Sequence, residues 1–147
     1  MSIHNYDSFV ELFRRQADRC TEFNIIEVDN MFAGFVAAYD YKKNDGHIKV
    51  MIYIEPTYRF SLIGMAGIEF LNILFQYYNI RKIYTEVYDY NSDSIKYHYN
   101  AGFTEECRLN EYKFFDGKYW DVIYFSISRD AFYAINGKII HRFLSDK

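Results

Sequence analysis

Proline is almost missing from this sequence: Pro56 is the single one in 147 residues, and glycine is sparse at seven. No stretch has the composition of a flexible or polyproline linker, so residues 1–147 read as one domain. Cysteine is scarce as well. Cys20 and Cys107 form no CxxC or zinc-ligand pattern, which argues against a disulfide scaffold and a metal centre and favours a reduced, cytoplasmic setting. There is no excess of positive charge. With 17 basic against 20 acidic residues and a net charge of −3, the chain lacks the clustered Lys and Arg of a broad phosphate-binding face, and no nucleic-acid partner is expected. No apolar run reaches the roughly 18–20 residues needed to cross a bilayer, and the N-terminus lacks a signal-peptide core, so a soluble protein without a membrane partner is expected.

Aromatic residues are abundant, at 21% with 16 Tyr and 14 Phe, inside a hydrophobic content of 50%. Such a chain can bury a sizeable core. Residues Asn5 to Cys20 carry Phe9, Val10, Leu12, Phe13 and Ala17 near helical spacing and predict an amphipathic helix. Phe23 to Val28 and Met31 to Tyr41 read as strands joined by Asp29-Asn30, and Asn44-Asp45-Gly46 turns into a third strand, His47 to Ile54, apolar on both faces and expected to be central. Pro56 ends it. Ser61 to Tyr78 is the most apolar helix, and the strand after it makes a strand-helix-strand unit, hence a mixed sheet. The C-terminus, Asp130 to Leu144, predicts a helix interrupted near Asn136-Gly137.

The chain is organised around the part from Lys82 onward. Lys82 to Tyr88 has the composition of a half-buried strand. Asn91 can cap a helix and Asp93 suits its first turn; Gly102 is placed to leave it in a left-handed conformation, letting Phe103 return to the core. Glu106 to Phe115 and Lys118 to Ser128 flank Asp116-Gly117, a strong hairpin signal.

The order of these pieces, Lys82-Ile83-Tyr84-Thr85-Glu86-Val87, Asn91-Ser92-Asp93-Ser94-Ile95, Ala101-Gly102-Phe103 and Asp116-Gly117-Lys118-Tyr119-Trp120-Asp121, resembles the GNAT superfamily of acetyl-coenzyme A dependent N-acetyltransferases. The nearest look is to the branch acting on ribosomal-protein termini and amino sugars, over roughly Phe32 to Phe132. The resemblance implies an α/β (α+β) fold with a mixed central sheet flanked by helices. It implies acetyl-coenzyme A as cosubstrate and an amine acceptor: a protein N-terminus, a nucleotide-linked amino sugar or a small amine. The cofactor is expected beside Ile52, Tyr53 and Ile54 of the central strand and over the following helix N-terminus, where unpaired N–H groups attract a polyanion.

The family's R/Q-x-x-G-x-G/A loop fits in two registers. Arg59-Phe60-Ser61-Leu62-Ile63-Gly64 keeps the cation but has Leu62 for the first glycine; Ser61-Leu62-Ile63-Gly64-Met65-Ala66 keeps the small residues and loses the cation. The first preserves Pro56-Thr57-Tyr58-Arg59 in line with the family's P-x-Y-R. Asn91 and Ser94 are expected at the pantetheine arm, with an N-cap role open for Asn91. The family's acid is a Tyr four residues before the Gly of Gly-Phe, a position held here by His98, with Tyr97 beside it as the alternative and plain packing as the bland reading. Glu55 and Glu86 are the candidate bases.

One feature of the family is shortened. It opens with a strand and two helices that wall the acceptor, and only about one helix fits before Phe23. A large acceptor, a second copy of the chain as a homodimer, or a noncatalytic acyl-coenzyme A binding or protein-interaction role each accommodate that.

Overall fold

A computed structural model describes residues 14, 15, 17–58 and 64–144, with side chains through Arg142. Six strands form one sheet in the order β1-β2-β3-β4-β6-β5: β1 Glu22–Val28, β2 Met31–Lys42, β3 His47–Ile54, β4 Lys82–Tyr88, β5 Thr104–Phe115 and β6 Lys118–Ser128. All neighbours are antiparallel except β3 and β4, which run parallel because helix α1, Gly64–Tyr77, connects them. Helix α2, Ser92–Asn100, follows β4, and helix α3, Arg129–Leu144, follows β6.

The turns behave as their residues dictate. Asp29 and Asn30 have φ of 51° and 62°, and Asp116 and Gly117 of 50° and 79°, the left-handed pair that lets a two-residue loop follow the twist of its strands. Gly102 leaves α2 with φ 94° while its N–H and that of Phe103 bond the carbonyls of Tyr99 and His98, and Phe103 turns inward to lie buried.

Alternation of period two sends Val36, Ala38, Ile48, Val50, Ile83, Val87, Ile123, Phe125 and Ile127 to one face of the sheet. There they pack on Ile68, Leu71, Leu74 and Phe75 of α1 and Phe132 of α3. As its composition predicts, α1 is buried on more than one side, from Gly67 through Phe75. Its C-terminal end is held by the Arg129 guanidinium, which donates to the carbonyls of Phe75, Tyr78 and Ile80 at the helix end and its exit.

The C-terminal helix corrects the sequence reading. It runs through Asn136-Gly137 without a break. Asn136 is buried, and its amide donates to the carbonyls of Ala101 at 3.0 Å and Phe132 at 3.2 Å, so a residue that usually marks a turn here ties α3 to the end of α2. Of the N-terminal helix expected over Asn5 to Cys20, Arg14, Arg15 and Ala17 are helical and Asp18 N–H bonds Arg14 C=O at 2.9 Å; positions 1–13 lie outside the described residues.

Candidate active site

The parallel ladder between β3 and β4 is short. It pairs His47 with Lys82, Ile48 with Ile83 and Lys49 with Tyr84, and ends there, although β3 continues to Ile54 and β4 to Tyr88. On its other side β3 stays paired with β2 as far as Ile54 opposite Gly34. The two central strands therefore fork. Beyond the fork lies a cleft of about 390 Å³, lined by Ile52, Tyr53 and Ile54 from β3 and by Asn91, Asp93, Ser94, Lys96, Tyr97 and Asn100 at α2.

Each wall follows from local sequence. Asn91 caps α2 by accepting the Ser94 N–H at 3.2 Å, which fixes the start of the helix in the mouth of the fork. Asp93, Lys96, Tyr97 and Asn100 then recur at the spacing of one helix face and share the cleft side. This face was legible as i, i+3, i+4, i+7, yet Asp93, Lys96 and Asn100 escape a reading guided by motif positions.

Tyr97 joins the two helices at the cleft. Its hydroxyl donates to the Gly64 carbonyl at 3.0 Å, and a Cβ on Gly67 would stand 2.3 Å from that oxygen and 3.0 Å from Ile52 Cδ1. Gly67 is small because the phenol occupies the space a side chain would take. Burial pushes the Tyr97 hydroxyl up to about 12, so it keeps its proton throughout the neutral range.

His98 points elsewhere. It is 4% exposed and lies between the rings of Phe103 and Phe125. Its Nδ1–H donates to the Ser94 carbonyl at 2.7 Å, which leaves Nε2 of the neutral ring without a proton to give. Burial holds the imidazole below its ordinary value of 6.5. An unfolded chain protonates this side chain where the folded one resists, so its contribution to stability is complete above about pH 6.5 and declines as pH falls below it. Stability to urea is expected to fall as pH is lowered from about 7.5 to about 5.5, and His98→Leu is expected to remove this group's part of that dependence.

The two candidate carboxylates fall on different structures. Glu55 follows β3 at the rim of the fork and accepts the Tyr53 hydroxyl at 3.1 Å. Glu86 lies on the sheet face away from α1, where its carboxylate meets Lys49 Nζ at 3.3 Å and the Tyr124 hydroxyl. Lys49 is the last β3 residue in the ladder, so this ion pair spans the two strands just where they part. Burial, and next the hydrogen bond to Glu86, push Tyr124 up to about 12. Ser94 lines the cleft, with its hydroxyl 3.4 Å from His98 Nδ1. Of the expected phosphate loop, Gly64 opens α1 beside Tyr97, while Arg59, Phe60, Ser61, Leu62 and Ile63 lie outside the described residues.

No family model matches the chain. A relative described as an uncharacterized N-acetyltransferase, YokL, derived from the SPbeta prophage of Bacillus subtilis (strain 168), is 30% identical over 121 residues, covering 78% of this chain. The chain spans 66% of that relative's length, just under two thirds. Among solved structures, the spermidine N-acetyltransferase of Vibrio cholerae in complex with CoA and spermine superposes with a TM-score of 0.76 at 22% identity, covering 88% of this chain and 78% of that one. A chimera of the Vibrio cholerae enzyme SpeG and hSSAT gives 0.78 at 22% identity over 90% of this chain and 84% of that one. The structural likeness carries the fold. With the forked parallel pair, the Asn-capped helix at its mouth and the Gly-Phe return to the core, the chain has the fold of these N-acetyltransferases and is similar in sequence to one relative described as such.

Proposed function

We propose that the chain is an N-acetyltransferase that moves an acetyl group from acetyl-coenzyme A to a primary amine. The observation that carries this reading is the fork: β3 and β4 stop pairing at Lys49 and Tyr84, and α2 begins in the gap. Beyond Lys49 the edge of β3 toward β4 has no strand beside it among the described residues, which suits an extended chain bearing amides that pairs as an added strand would. Asn91, Ser94, Lys96 and Asn100 add polar groups along the opposite wall. These features fit the pantetheine arm of acetyl-coenzyme A, which supplies an activated acyl group as a thioester.

The protein's part is placement and proton management. Holding the amine against the acyl carbon accounts for most of the rate, since a bimolecular encounter becomes a local one. In the net reaction the amine nitrogen bonds the acyl carbon, the carbon–sulfur bond breaks, and the proton shed by nitrogen is made up on sulfur. Tyr97, protonated and on the cleft wall, is the hydroxyl that meets the departing sulfur as donor; His98 serves the packing under α2. Glu55, at the rim, takes the ammonium proton. Glu86, already engaged by Lys49 and Tyr124, ties the strands at the fork.

Thiol release from acetyl-coenzyme A in the presence of a panel of primary amines tests the reading: amine-dependent release supports it, and coenzyme A binding without release on any amine favours a noncatalytic acyl-coenzyme A binding role. Within the active case, Glu55→Gln is expected to lower kcat by about a hundredfold at pH 7 with partial recovery at higher pH, as loss of a base does. Glu86→Gln is expected to cost less than about tenfold in kcat and on the order of 1 kcal/mol in stability, since the pair with Lys49 is only partly exposed.

A further inference from the structure

On the sheet face turned away from α1, three rings step across three strands. Phe23 of β1 stacks on Phe35 of β2 with centroids 5.3 Å apart and 20° between planes, and Phe35 stacks on Tyr53 of β3 at 5.5 Å and 26°. The register puts them there, since Phe35 stands opposite Tyr53. A cross-strand ladder of this kind stabilises a sheet by itself. Here it also walls a groove of about 840 Å³, into which Met51, 45% exposed, projects as well.

Two carboxylates reach the groove. Asp40 is bonded to Lys42 at 2.6 Å, and that partner holds its carboxyl below the usual range. Glu55 stands at the opposite end, at the rim of the fork, and Tyr53 lines both the groove and the cleft. The groove and the cleft thus share Tyr53 as a wall residue near the end of β3.

We propose that the groove binds the acceptor and selects a primary amine carried on an aromatic or aliphatic body, the body lying along Phe23, Phe35, Met51 and Tyr53 and the ammonium at Glu55. This deepens the transferase reading above and rests on it. The choice follows from the wall. A polyamine needs carboxylates spaced along its length, and of the two here one is already neutralised by Lys42 while Arg19 on the lining repels a second cation. A nucleotide-linked sugar needs polar partners along its whole length, whereas between Asp40 at one end and Glu55 at the other this groove presents chiefly rings and a thioether. An apolar amine leaves no polar group stranded and gains contact with each ring, with its cation over the Tyr53 edge of the ladder.

The test titrates the protein, with coenzyme A present, with phenethylamine, spermidine and a nucleotide-linked amino sugar by calorimetry, and follows thiol release with each. Phenethylamine is expected to bind at least tenfold tighter than the other two and to show at least tenfold higher kcat/KM. Phe35→Leu should weaken phenethylamine about tenfold. Met51→Glu, a change at an exposed position that the fold tolerates, should shift the preference toward spermidine. Tighter binding of spermidine or of the sugar, binding of none, or a preference unmoved by both variants overturns the proposal. Phenethylamine bound tightly without release on any amine retires the acetyl transfer and leaves the groove standing as an amine site.

Discussion

Replacing Tyr97 with Phe is expected to lower kcat about a hundredfold while leaving the affinity for coenzyme A within about twofold, the range for losing one positioned proton donor. The ring stays, so the packing over Gly67 and Ile52 stays with it. What goes is one hydroxyl, which in the absence of a thioester donates to the Gly64 carbonyl at 3.0 Å. That bond is between neutral groups and contributes on the order of 1 kcal/mol. A measured stability change of that size, together with the hundredfold loss in kcat, separates the chemical role from the structural one. Gly67→Ala approaches the same site from the other side. Its methyl group would stand 2.3 Å from the hydroxyl and must push the phenol off Gly64, so kcat should fall comparably, and the two changes combined should cost little more than either alone. If His98 rather than Tyr97 met the sulfur, Tyr97→Phe would be nearly silent and His98→Leu severe.

The second large effect is on the fold that holds the cleft open. A Cβ on Gly34 would lie 2.1 Å from the Tyr53 carbonyl oxygen and 3.1 Å from Ile54 Cα, both backbone atoms that cannot turn aside. Gly34↔Ile54 is the pair that carries the β2–β3 ladder to the end of β3, past the fork. Gly34→Ala is therefore expected to cost on the order of 3 kcal/mol, a fall of roughly 10 °C in melting temperature for a domain of this size. Coenzyme A binding should weaken alongside, because Ile52, Tyr53 and Ile54 are the β3 wall of the cleft. Differential scanning calorimetry gives the first number and titration at a temperature well below the transition gives the second. Gly117→Ala is the comparison: its Cβ meets nothing within 4 Å, so its cost is that of the left-handed φ of 79° alone, about 1 kcal/mol.

Much of this was legible in the residues. Asp29-Asn30 and Asp116-Gly117 announce hairpins because few other pairs accept two positive φ values in succession, and the structure has both. Asn91 and Gly102 frame α2 for equally local reasons. The apolar helix between β3 and β4 implied a parallel pair, which is present. Tertiary contacts decided what sequence left open. Asn136-Gly137 has the local chemistry of a break, and only the carbonyl of Ala101, 35 residues earlier, makes Asn136 a helix residue. His98 occupies the family's acid position in register, yet the rotation of α2 turns it toward Phe103 and Phe125 and gives the cleft to Tyr97. One residue along a helix is a turn of 100°, and motif alignment cannot resolve which neighbour faces the notch. The sheet face bearing Phe23, Phe35 and Tyr53 was likewise hidden, because the alternation of β1, β2 and β3 gives two apolar faces and only the register shows which rings meet.

The fork between β3 and β4 is the claim on which the rest stands, and a crystal structure with coenzyme A bound tests it most directly. The pantetheine arm is predicted to lie along Ile52, Tyr53 and Ile54, between β3 and the start of α2, with its sulfur near the Tyr97 hydroxyl. Coenzyme A found on another surface, with β3 and β4 paired beyond Lys49 and Tyr84, would contradict it.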